Sequence, residues 1–529
     1  MKPIAVNSND FPSIIRDEQI YVDKTAYFHA LVTDRQHKYF FLARPRRFGK
    51  TLMVSTLKAI FEGRRELFAG LAIDATDYGW KRCPVLAFNF GQVDASTFDA
   101  FDRSFPSCVR SFLEKAGYDN YIPEKSASWN FGRAIDTLAA KSEAGQVAVL
   151  VDEYDDPVAR SLKDIAQAKA VRDQLGDFYA QLKDRTDAVR FLMITGVSKF
   201  TKLSVFSTLS NMTDITFDDR YATMLGYTDD ELDVYFCEQM RVQADLMGLD
   251  WGEYRRSLKW WYNGFRFTRK NPATLYNPIS ISMTLAEPED QFRATWTETG
   301  RPSMLMNYME REEFLSLDTE NVKNVTDDVF DVFDIDRINA KGLLFQTGYL
   351  TIKDYDRETG EYSLHVPDEE IRRDINKLVA SVAANEPATW VSYLGSNLIH
   401  AEWPSFFNGL KALYAGLCYG STETSVHESP YARGLVILLR AQGIGILQEV
   451  QSADGRADVV AEHKLGVFIF ELKKDGTTDD AFAQIEKKGY AKPHLASGKP
   501  VWTVALVFDG ETRQLKDCEA RRAADAASL

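Results

Sequence analysis

Four short apolar runs, separated by stretches with helical spacing, dominate the region Lys38–Asp219. The runs are Tyr39–Leu42, Pro84–Phe90, Val147–Val151 and Val189–Ile194. Apolar runs of this length predict buried strands, and the 3.6-residue spacing between them predicts helices. Strands that alternate with helices form a parallel sheet covered on both faces. The pattern therefore predicts an α/β domain at the start of the chain.

From Gly226 the pattern becomes helical, and an aromatic run at Trp260–Phe267 then predicts packed core rather than a base-stacking surface. The stretch Thr299–Asn408 is predicted to be helical, with one hairpin inside Gly342–His365. A second α/β region follows. Its predicted elements are a helix at Tyr431–Gln442, strands at Gly445–Gln451, Arg456–Glu462 and Gly466–Leu472, a helix around Asp479–Tyr490 and a strand at Val501–Phe508.

These patterns predict an α/β multidomain protein, since 529 residues exceed what one hydrophobic core holds. The four expected parts are an α/β core at 1–225, a helical or winged-helix-like lid at 226–300, a mostly helical connector at 301–400 and a C-terminal α/β domain at 401–529. A net charge of −14 argues against a surface broadly built for nucleic acid, although a local basic groove is compatible with it.

The five cysteines form no CxxC pair, which predicts a reducing compartment without structural zinc. No apolar run approaches the roughly 18 residues of a membrane span. We therefore expect a cytoplasmic protein that does not contact a membrane.

The first predicted strand leads into a loop that ends in Gly49-Lys50-Thr51, before apolar residues at helical spacing over Leu52–Phe61. A strand, a loop ending in GKT and a helix form a phosphate-binding P-loop. There the backbone N–H groups hold phosphates, Lys50 reaches the terminal phosphates and Thr51 holds Mg²⁺. The usual pattern has glycine where this chain has Arg44. The alternative is a chance match in a surface loop.

Two acids, Asp152 and Glu153, directly follow the third predicted strand. In a nucleotide-hydrolysis site the first acid binds Mg²⁺ through water and the second polarises the attacking water. Thr195, after the fourth strand, is the candidate sensor of the γ-phosphate, with helix capping as its alternative role. Both motifs fall at the C-terminal ends of predicted parallel strands, where open α/β sheets bind ligands.

A second group of candidate residues lies near the C-terminus. Glu471 and Lys473 point to the same face of a predicted strand, and Asp458 on a neighbouring strand converges with Glu471. Two carboxylates on one sheet surface suit a hard divalent ion, and the following helix places Gln484 near the same edge. This D…ExK arrangement serves metal-dependent phosphodiester hydrolysis. The alternative is a surface ion pair with no catalytic role.

With both groups in view, the chain resembles the bacterial and archaeal predicted AAA-ATPase family that carries a C-terminal PD-(D/E)XK nuclease-like domain. The strings that carry the resemblance are YVDKT at Tyr21–Thr25, RPRRFGKT at Arg44–Thr51, VDEYDDP at Val151–Pro157, ITGVSKF at Ile194–Phe200, WYNGFRF at Trp261–Phe267 and LYNPISI at Leu275–Ile281. In this family, arginine in place of the first P-loop glycine is the normal form.

The resemblance implies two sets of site residues. The expected nucleotide-binding set is Arg44, Pro45, Arg46, Arg47, Phe48, Gly49, Lys50, Thr51, Leu52, Asp152 and Thr195, with Thr51 and Asp152 holding Mg²⁺ and Glu153 catalytic. The expected nuclease set is Asp458, Glu471 and Lys473, with Glu428 on the preceding helix, Gln484, and the metal on Asp458 and Glu471. Tyr490 matches an element that lies near the phosphate in relatives.

The implied function is an ATP-binding and ATP-hydrolysing protein that regulates a Mg²⁺- or Mn²⁺-dependent nuclease. The expected substrate is DNA, with RNA as the alternative. The expected setting is defence or mobile-element conflict, and the ATPase domain is the expected site of any homo-oligomer contact. Candidates for an arginine finger are Arg46, Arg47, Arg220 and Arg266. The alternative function is a nucleotide-dependent switch or scaffold whose C-terminal domain binds a partner without cleaving nucleic acid.

Overall fold

The structure is a computed structural model. It describes residues 1–6, 8–199, 211–296, 319–331, 339–384, 386–416, 430–447, 451–452, 455–456, 458–495, 497–512 and 514–523. These residues fall into two compact units that are divided between Glu369 and Glu370. The predicted division into four parts is a finer one and stays a prediction.

The strands are β1 (Tyr39–Ala43), β2 (Val85–Asn89), β3 (Val147–Asp152), β4 (Val189–Gly196), β5 (Thr213–Asp214), β6 (Asn263–Phe265), β7 (Leu275–Tyr276), β8 (Val322–Val325), β9 (Thr351–Tyr355), β10 (Tyr362–His365), β11 (Gly445–Leu447), β12 (Gln451–Ser452), β13 (Gly455–Arg456), β14 (Val459–His463), β15 (Gly466–Lys474), β16 (Val501–Phe508) and β17 (Leu515–Arg522).

The helices are α1 (Phe11–Arg16), α2 (Thr25–Val32), α3 (Lys50–Phe61), α4 (Phe98–Lys115), α5 (Ala127–Lys141), α6 (Asp156–Ser161), α7 (Ile165–Ala180), α8 (Asp229–Tyr235), α9 (Cys237–Met247), α10 (Trp251–Tyr262), α11 (Pro278–Ala286), α12 (Asp327–Asp331), α13 (Ala340–Thr347), α14 (Glu369–Ala384), α15 (Ala388–Ile399), α16 (Trp403–Gly416), α17 (Pro430–Ala441), α18 (Thr478–Lys488) and α19 (Lys492–Leu495). None of these described helices combines the length and apolar character needed to cross a bilayer.

The first unit is built on a parallel sheet with the strand order β2-β3-β4-β1-β5. Each of the four predicted apolar runs forms one of its strands, and β1 and β3 are buried along their whole length. The predicted parallel α/β sheet is therefore confirmed. Strand β4 separates β1 from β3, so the ends of the two motif strands flank the end of β4.

The loop after β1 turns into helix α3 at Gly49, which adopts φ +89°. An L-residue with a side chain pays a steric cost in this left-handed conformation, whereas glycine does not. The helix then buries one apolar face, which includes Met53, Leu57 and Ile60. Glycine thus sets the direction in which the first helical N–H groups point.

The aromatic run Trp260–Phe267 spans the end of α10, strand β6 and the residues after it. Tyr262, Phe265 and Phe267 are buried, whereas the Trp260 side chain is 55% exposed. The prediction of packed core is confirmed for this run except at its first residue. The predicted hairpin is also found, because β9 and β10 pair antiparallel.

The second unit holds a sheet with the order β11-β14-β15-β16-β17. Strands β15 and β16 are parallel and are connected through helix α18, while the other neighbouring pairs are antiparallel. The predicted strand over Arg456–Glu462 is wrong in one respect. Asp458 lies in a bend between β13 and β14 rather than inside a strand.

Candidate functional site

Lys50 lies at the first position of α3 and is only 6% exposed. Its Nζ donates hydrogen bonds of 2.8 Å to each of the carbonyl oxygens of Arg44 and Pro45. Burial lowers the pKa of Lys50 to about 8, although the nearby Asp152 favours the charged form. The loop's own backbone therefore holds the ammonium group in place.

Asp152, at the end of β3, is buried and accepts hydrogen bonds from side chains of two other elements. One carboxylate oxygen accepts a 2.7 Å hydrogen bond from Thr51 Oγ1, and the other accepts a 2.6 Å bond from Thr195 Oγ1. The structure thus brings together three predicted residues from α3, β3 and β4. The hydroxyl of Thr195 donates to Asp152, and its role as a sensor of the γ-phosphate stays a prediction.

Glu153 has a positive φ of 53°, which is uncommon for a residue with a side chain. Its carboxylate lies against Gly91, where an added Cβ would come within 1.7 Å of Glu153 Oε2. Burial, followed by the negative charges of Asp152 and Asp156, raises the pKa of Glu153 to about 7. A carboxylate with a pKa near neutrality suits proton transfer at physiological pH.

Two further acids support this edge of the sheet and were not among the predicted site residues. Asp155 accepts hydrogen bonds from the backbone N–H groups of Val197 and Ser198, of which the latter is 2.7 Å long. Asp156 lies 3.5 Å from Arg46 and 2.7 Å from Arg160. The VDEYDDP string was the only signal in the sequence that could have singled them out.

A cavity of about 410 Å³ opens beside the loop. The charged, loop and strand-end residues in its wall are Lys24, Arg46, Arg47, Phe48, Gly49, Lys50, Thr51, Leu52, Glu153, Asp156 and Arg160. The apolar part of the wall includes Ile4, Val6, Ile20, Val22, Phe236 and Ile279. The share of the N-terminal segment in this wall is a feature that the sequence did not reveal.

Four predicted nucleotide-binding residues, Arg44, Pro45, Asp152 and Thr195, are absent from the lining of this cavity. The Arg44 guanidinium is buried beside the Phe267 ring, at 4.4 Å from its centre. A direct contact between the Arg44 side chain and a nucleotide is therefore not supported by the structure, because its side chain lines a separate small cavity.

Arg266, a candidate arginine finger, also lies outside the lining of the large cavity. Its guanidinium donates to four backbone carbonyl oxygens, those of Thr268, Arg269, Asn271 and Lys353. Arg220 pairs with Asp218 at 2.6 Å. Among the four candidates, Arg46 and Arg47 are the two that line the cavity.

The oxygen and nitrogen groups at this site fit a Mg²⁺–nucleotide. A Thr51 hydroxyl within hydrogen-bond distance of the buried Asp152 carboxylate supplies the hard oxygen donors that Mg²⁺ prefers. Lys50 and the first N–H groups of α3 supply positive charge for phosphate. These residues would hold the ion and the phosphates.

The C-terminal candidates meet at the end of β15. Lys473 Nζ lies 3.2 Å from Glu471 Oε1 and donates a hydrogen bond to Gln484 Oε1 on α18. Asp458 accepts a 2.8 Å hydrogen bond from the backbone N–H of Leu472. The structure therefore brings Asp458, Glu471, Lys473 and Gln484 to one edge of the sheet.

Glu471 is the buried member of this group, with a side chain that is 2% exposed. Burial, and then the negative charge of Asp458, raises its pKa to about 7. Its Oε2 has no hydrogen-bond partner among the described residues. An unsatisfied carboxylate oxygen beside a second carboxylate fits a divalent ion.

Glu428 and Tyr490 were also expected to belong to this site. Glu428 lies outside the described residues, and within the described ranges no group of three His, Cys, Asp or Glu side chains forms a metal cluster. Tyr490 packs in the apolar core with Val460 and Ile485. The structure therefore does not support a role for Tyr490 near a phosphate.

The strand order and the Lys50–Thr51–Asp152 arrangement define the first unit as a domain of the P-loop ATPase class. The predicted AAA-ATPase family matches residues 3–206, and the PD-(D/E)XK nuclease superfamily matches residues 426–518. An uncharacterised protein from the vnfD 5′ region of Azotobacter chroococcum mcd 1 is 32% identical over 510 residues, which cover 94% of this chain and 95% of the relative. The chain belongs to this predicted AAA-ATPase family with a C-terminal PD-(D/E)XK nuclease-like domain.

Among solved structures, the ORC2 protein of Aeropyrum pernix in its ADPNP–ADP complexes shows a distant likeness. It is 13% identical, and the alignment covers 72% of this chain and 95% of that chain with a TM-score of 0.23. A likeness this low supports no functional inference.

Proposed function

We propose that the first unit binds and hydrolyses ATP and that its nucleotide state regulates a metal-dependent nuclease in the C-terminal domain. The observation that carries the first half is that Lys50, Thr51 and Glu153 line one cavity, while Asp152 accepts a hydrogen bond from Thr51. The two family matches support the combination of activities. We assign the domain boundaries as predicted, with the ATPase core at 1–225 and the nuclease-like domain at 401–529.

In the ATPase half, each side chain has a distinct role. Lys50 would neutralise the terminal phosphates, and Thr51 and Asp152 would hold a Mg²⁺, which would supply positive charge to the phosphates. Glu153 accepts a proton from the attacking water, for which its pKa of about 7 is suited. Thr195 orients Asp152 through its 2.6 Å hydrogen bond.

In the nuclease half, Asp458 and Glu471 would hold Mg²⁺ or Mn²⁺, and bound metal would activate the scissile phosphate. Lys473 stabilises the negative charge that develops there, and Gln484 orients Lys473. We propose DNA rather than RNA as the substrate. A cytoplasmic location, a role in defence and homo-oligomer contacts through the ATPase domain complete the proposal.

The test is a cleavage assay on the full chain with DNA and RNA panels, with and without ATP and Mg²⁺ or Mn²⁺. We expect cleavage that requires metal and changes with ATP. Asp458→Ala and Lys473→Ala should abolish cleavage and leave ATP binding unchanged. Metal-dependent cleavage that persists in the purified double variant would overturn the assignment of the nuclease site.

One observation favours a second candidate function, a nucleotide-dependent switch that binds a partner without cleaving it. Glu471 is almost completely enclosed, whereas a metal that meets a phosphate needs access to solvent. If the wild-type protein hydrolyses ATP, binds neither Mg²⁺ nor Mn²⁺ in its C-terminal domain and cleaves none of the substrates, the switch function replaces the nuclease.

A further inference from the structure

The Arg44 side chain occupies the position that the usual P-loop pattern leaves to glycine. Its Nη1 donates to the carbonyl oxygens of Ala43 at 3.0 Å and of Thr216 at 2.6 Å. Its Nη2 has no hydrogen-bond partner among the described residues. The guanidinium carbon lies over the Phe267 ring, 4.4 Å from its centre. The side chain is thus held by two carbonyl groups and one aromatic face.

The buried environment of Arg44 does not stabilise a charged guanidinium. Burial lowers the pKa of Arg44 to about 9, although Asp214 partly opposes the shift. A buried charge with an unpaired N–H group is costly, and well-packed apolar residues often replace such groups without loss of stability. A role in positioning would account for a guanidinium here.

The same aromatic segment contacts the loop at a second residue. The Phe48 ring lies 4.8 Å from the Phe265 ring and 5.1 Å from the Phe267 ring, both edge to face. A third contact comes from Gly348, where an added Cβ would lie 2.8 Å from Pro45 Cβ. Residues distant in sequence therefore contact the loop near both of its ends.

The link to the nucleotide site is the backbone of Arg44 itself. The carbonyl oxygen of Arg44 accepts a hydrogen bond from Lys50 Nζ, while its side chain is fixed against Phe267. Any movement of this residue therefore moves a group that holds the phosphate-binding lysine.

We propose that Arg44 and Phe267 form a positioning pair that sets the P-loop backbone, and through it Lys50, for phosphate. Arg44 in this role is not a phosphate ligand. The inference rests on the proposed nucleotide-binding function of the first unit. It predicts that removal of the Phe267 ring weakens phosphate binding although Phe267 does not line the nucleotide cavity.

The experiment measures ATP, ADP and adenosine affinities of the full chain by isothermal titration calorimetry. Phe267→Leu removes the aromatic face, Phe267→Tyr keeps it, and Arg44→Gln removes the cation. We expect Phe267→Leu and Arg44→Gln each to weaken ATP binding about five- to tenfold, as loss of a buried cation–π contact implies. Phe267→Tyr should stay within about twofold of wild type.

Two controls distinguish a specific change in the position of the P-loop from a general loss of structure in the first unit. Adenosine carries no phosphate, so its affinity should not change in Phe267→Leu, whereas ADP and ATP affinities fall. The double variant should lose less affinity than the sum of the two single losses, because both substitutions break the Arg44–Phe267 contact. Thermal melting and circular dichroism establish that each variant is folded, and Phe267→Met replaces Phe267→Leu if the latter does not fold.

Three outcomes overturn the proposal. If Arg44→Gln weakens ATP binding and Phe267→Leu does not, Arg44 contacts phosphate directly. If adenosine affinity falls as much as ATP affinity, the substitution loosens the whole unit. If both variants bind ATP as wild type does, the pair has no role in the site. Failure of the wild-type protein to bind ATP would instead reject the nucleotide site itself.

Discussion

The two candidate sites contain the same chemical groups but are built differently. Each places a glutamate with a pKa raised to about 7 beside an aspartate and near a lysine. In the first unit Asp152 is buried and accepts hydrogen bonds from two hydroxyl groups. In the second unit Asp458 is exposed, and the hydrogen bond described for it comes from one backbone N–H group.

The difference follows from the position of each aspartate in its sheet. Asp152 ends a central parallel strand, so neighbouring elements supply Thr51 and Thr195 on either side. Asp458 lies in a bend before β14, outside the regular part of the strand. Preorganised donors and acceptors raise the rate because they need no rearrangement during the reaction. The first site therefore has the geometry of a prearranged site, while the second depends on the placement of Asp458.

The sharpest test of the first site is Glu153→Gln, which removes the proton acceptor but keeps the shape of the side chain. We expect ATP turnover to fall by about 10²- to 10⁴-fold, the usual contribution of a general base. ATP affinity should change little, since phosphate binding relies on Lys50 and the loop. Steady-state phosphate release and calorimetry measure the two effects.

The matched control is Glu143→Gln, an exposed glutamate in the loop before β3. It should turn over ATP as wild type does. Unchanged turnover in Glu153→Gln would mean that the first site binds nucleotide without hydrolysing it, and the likeness between the two sites would then be limited to charge.

The second prediction concerns Lys50→Ala, which removes the cation at the centre of the loop. We expect ATP affinity to fall roughly 100-fold, because charge-assisted contacts to phosphate are lost in a water-poor site. Lys58→Ala is the control, as Lys58 lies on the same helix with a side chain that is 47% exposed. An equal effect of both substitutions would show that general electrostatic attraction, rather than the buried site, binds ATP.

The strands that carry the first site were predictable from the sequence. A buried apolar run such as Val147–Val151 predicts a strand inside the sheet. The two acids that follow this run, Asp152 and Glu153, are therefore predicted to lie where that strand ends. The same logic located Glu471 and Lys473 on β15. The local sequence pattern is enough to predict the position of a residue when that position depends only on the residue's own strand.

Positions that depend on distant parts of the chain were not predictable. Arg44 stacks on Phe267, more than 200 residues away, and no local periodicity reports such a contact. Asp458 was expected inside the strand predicted at Arg456–Glu462, whereas the chain bends there. The contribution of Val22 to the cavity wall likewise arises from tertiary packing alone.

The third prediction tests the burial of Glu471 through stability. Its folded-state pKa of about 7 lies above the ordinary value of 4.5. The protonated form is therefore favoured by the fold, and the stability it contributes is lost as pH rises through about 7. In EDTA at pH 8, Glu471→Gln should raise the melting temperature by at least about 2–4 °C. At pH 4, wild type and variant should melt alike.

Glu486→Gln is the control, because Glu486 is an exposed glutamate on α18 of the same unit. It should not change the melting temperature at either pH. If Glu471→Gln lowers the melting temperature at pH 8, the Glu471 carboxylate is stabilised by its ion pair with Lys473 rather than destabilised by burial. The contrast between the two sites would then rest on Asp458 alone.

The smallest effect expected is that of Thr195→Val, which removes one of the hydroxyl groups that orient Asp152. Asp152 keeps its hydrogen bonds from Thr51 and from the backbone N–H of Glu153. Loss of a single hydrogen bond of about 1 kcal/mol should therefore lower ATP turnover about fivefold. Thr195→Ser retains the hydroxyl and should restore turnover. A γ-phosphate sensor would behave differently, since its loss lowers affinity for ATP but not for ADP. If Thr195→Val slows turnover but leaves the ratio of ATP to ADP affinity unchanged, Thr195 acts by orienting Asp152. The geometry of the first site would then depend on buried hydrogen-bond partners of this kind.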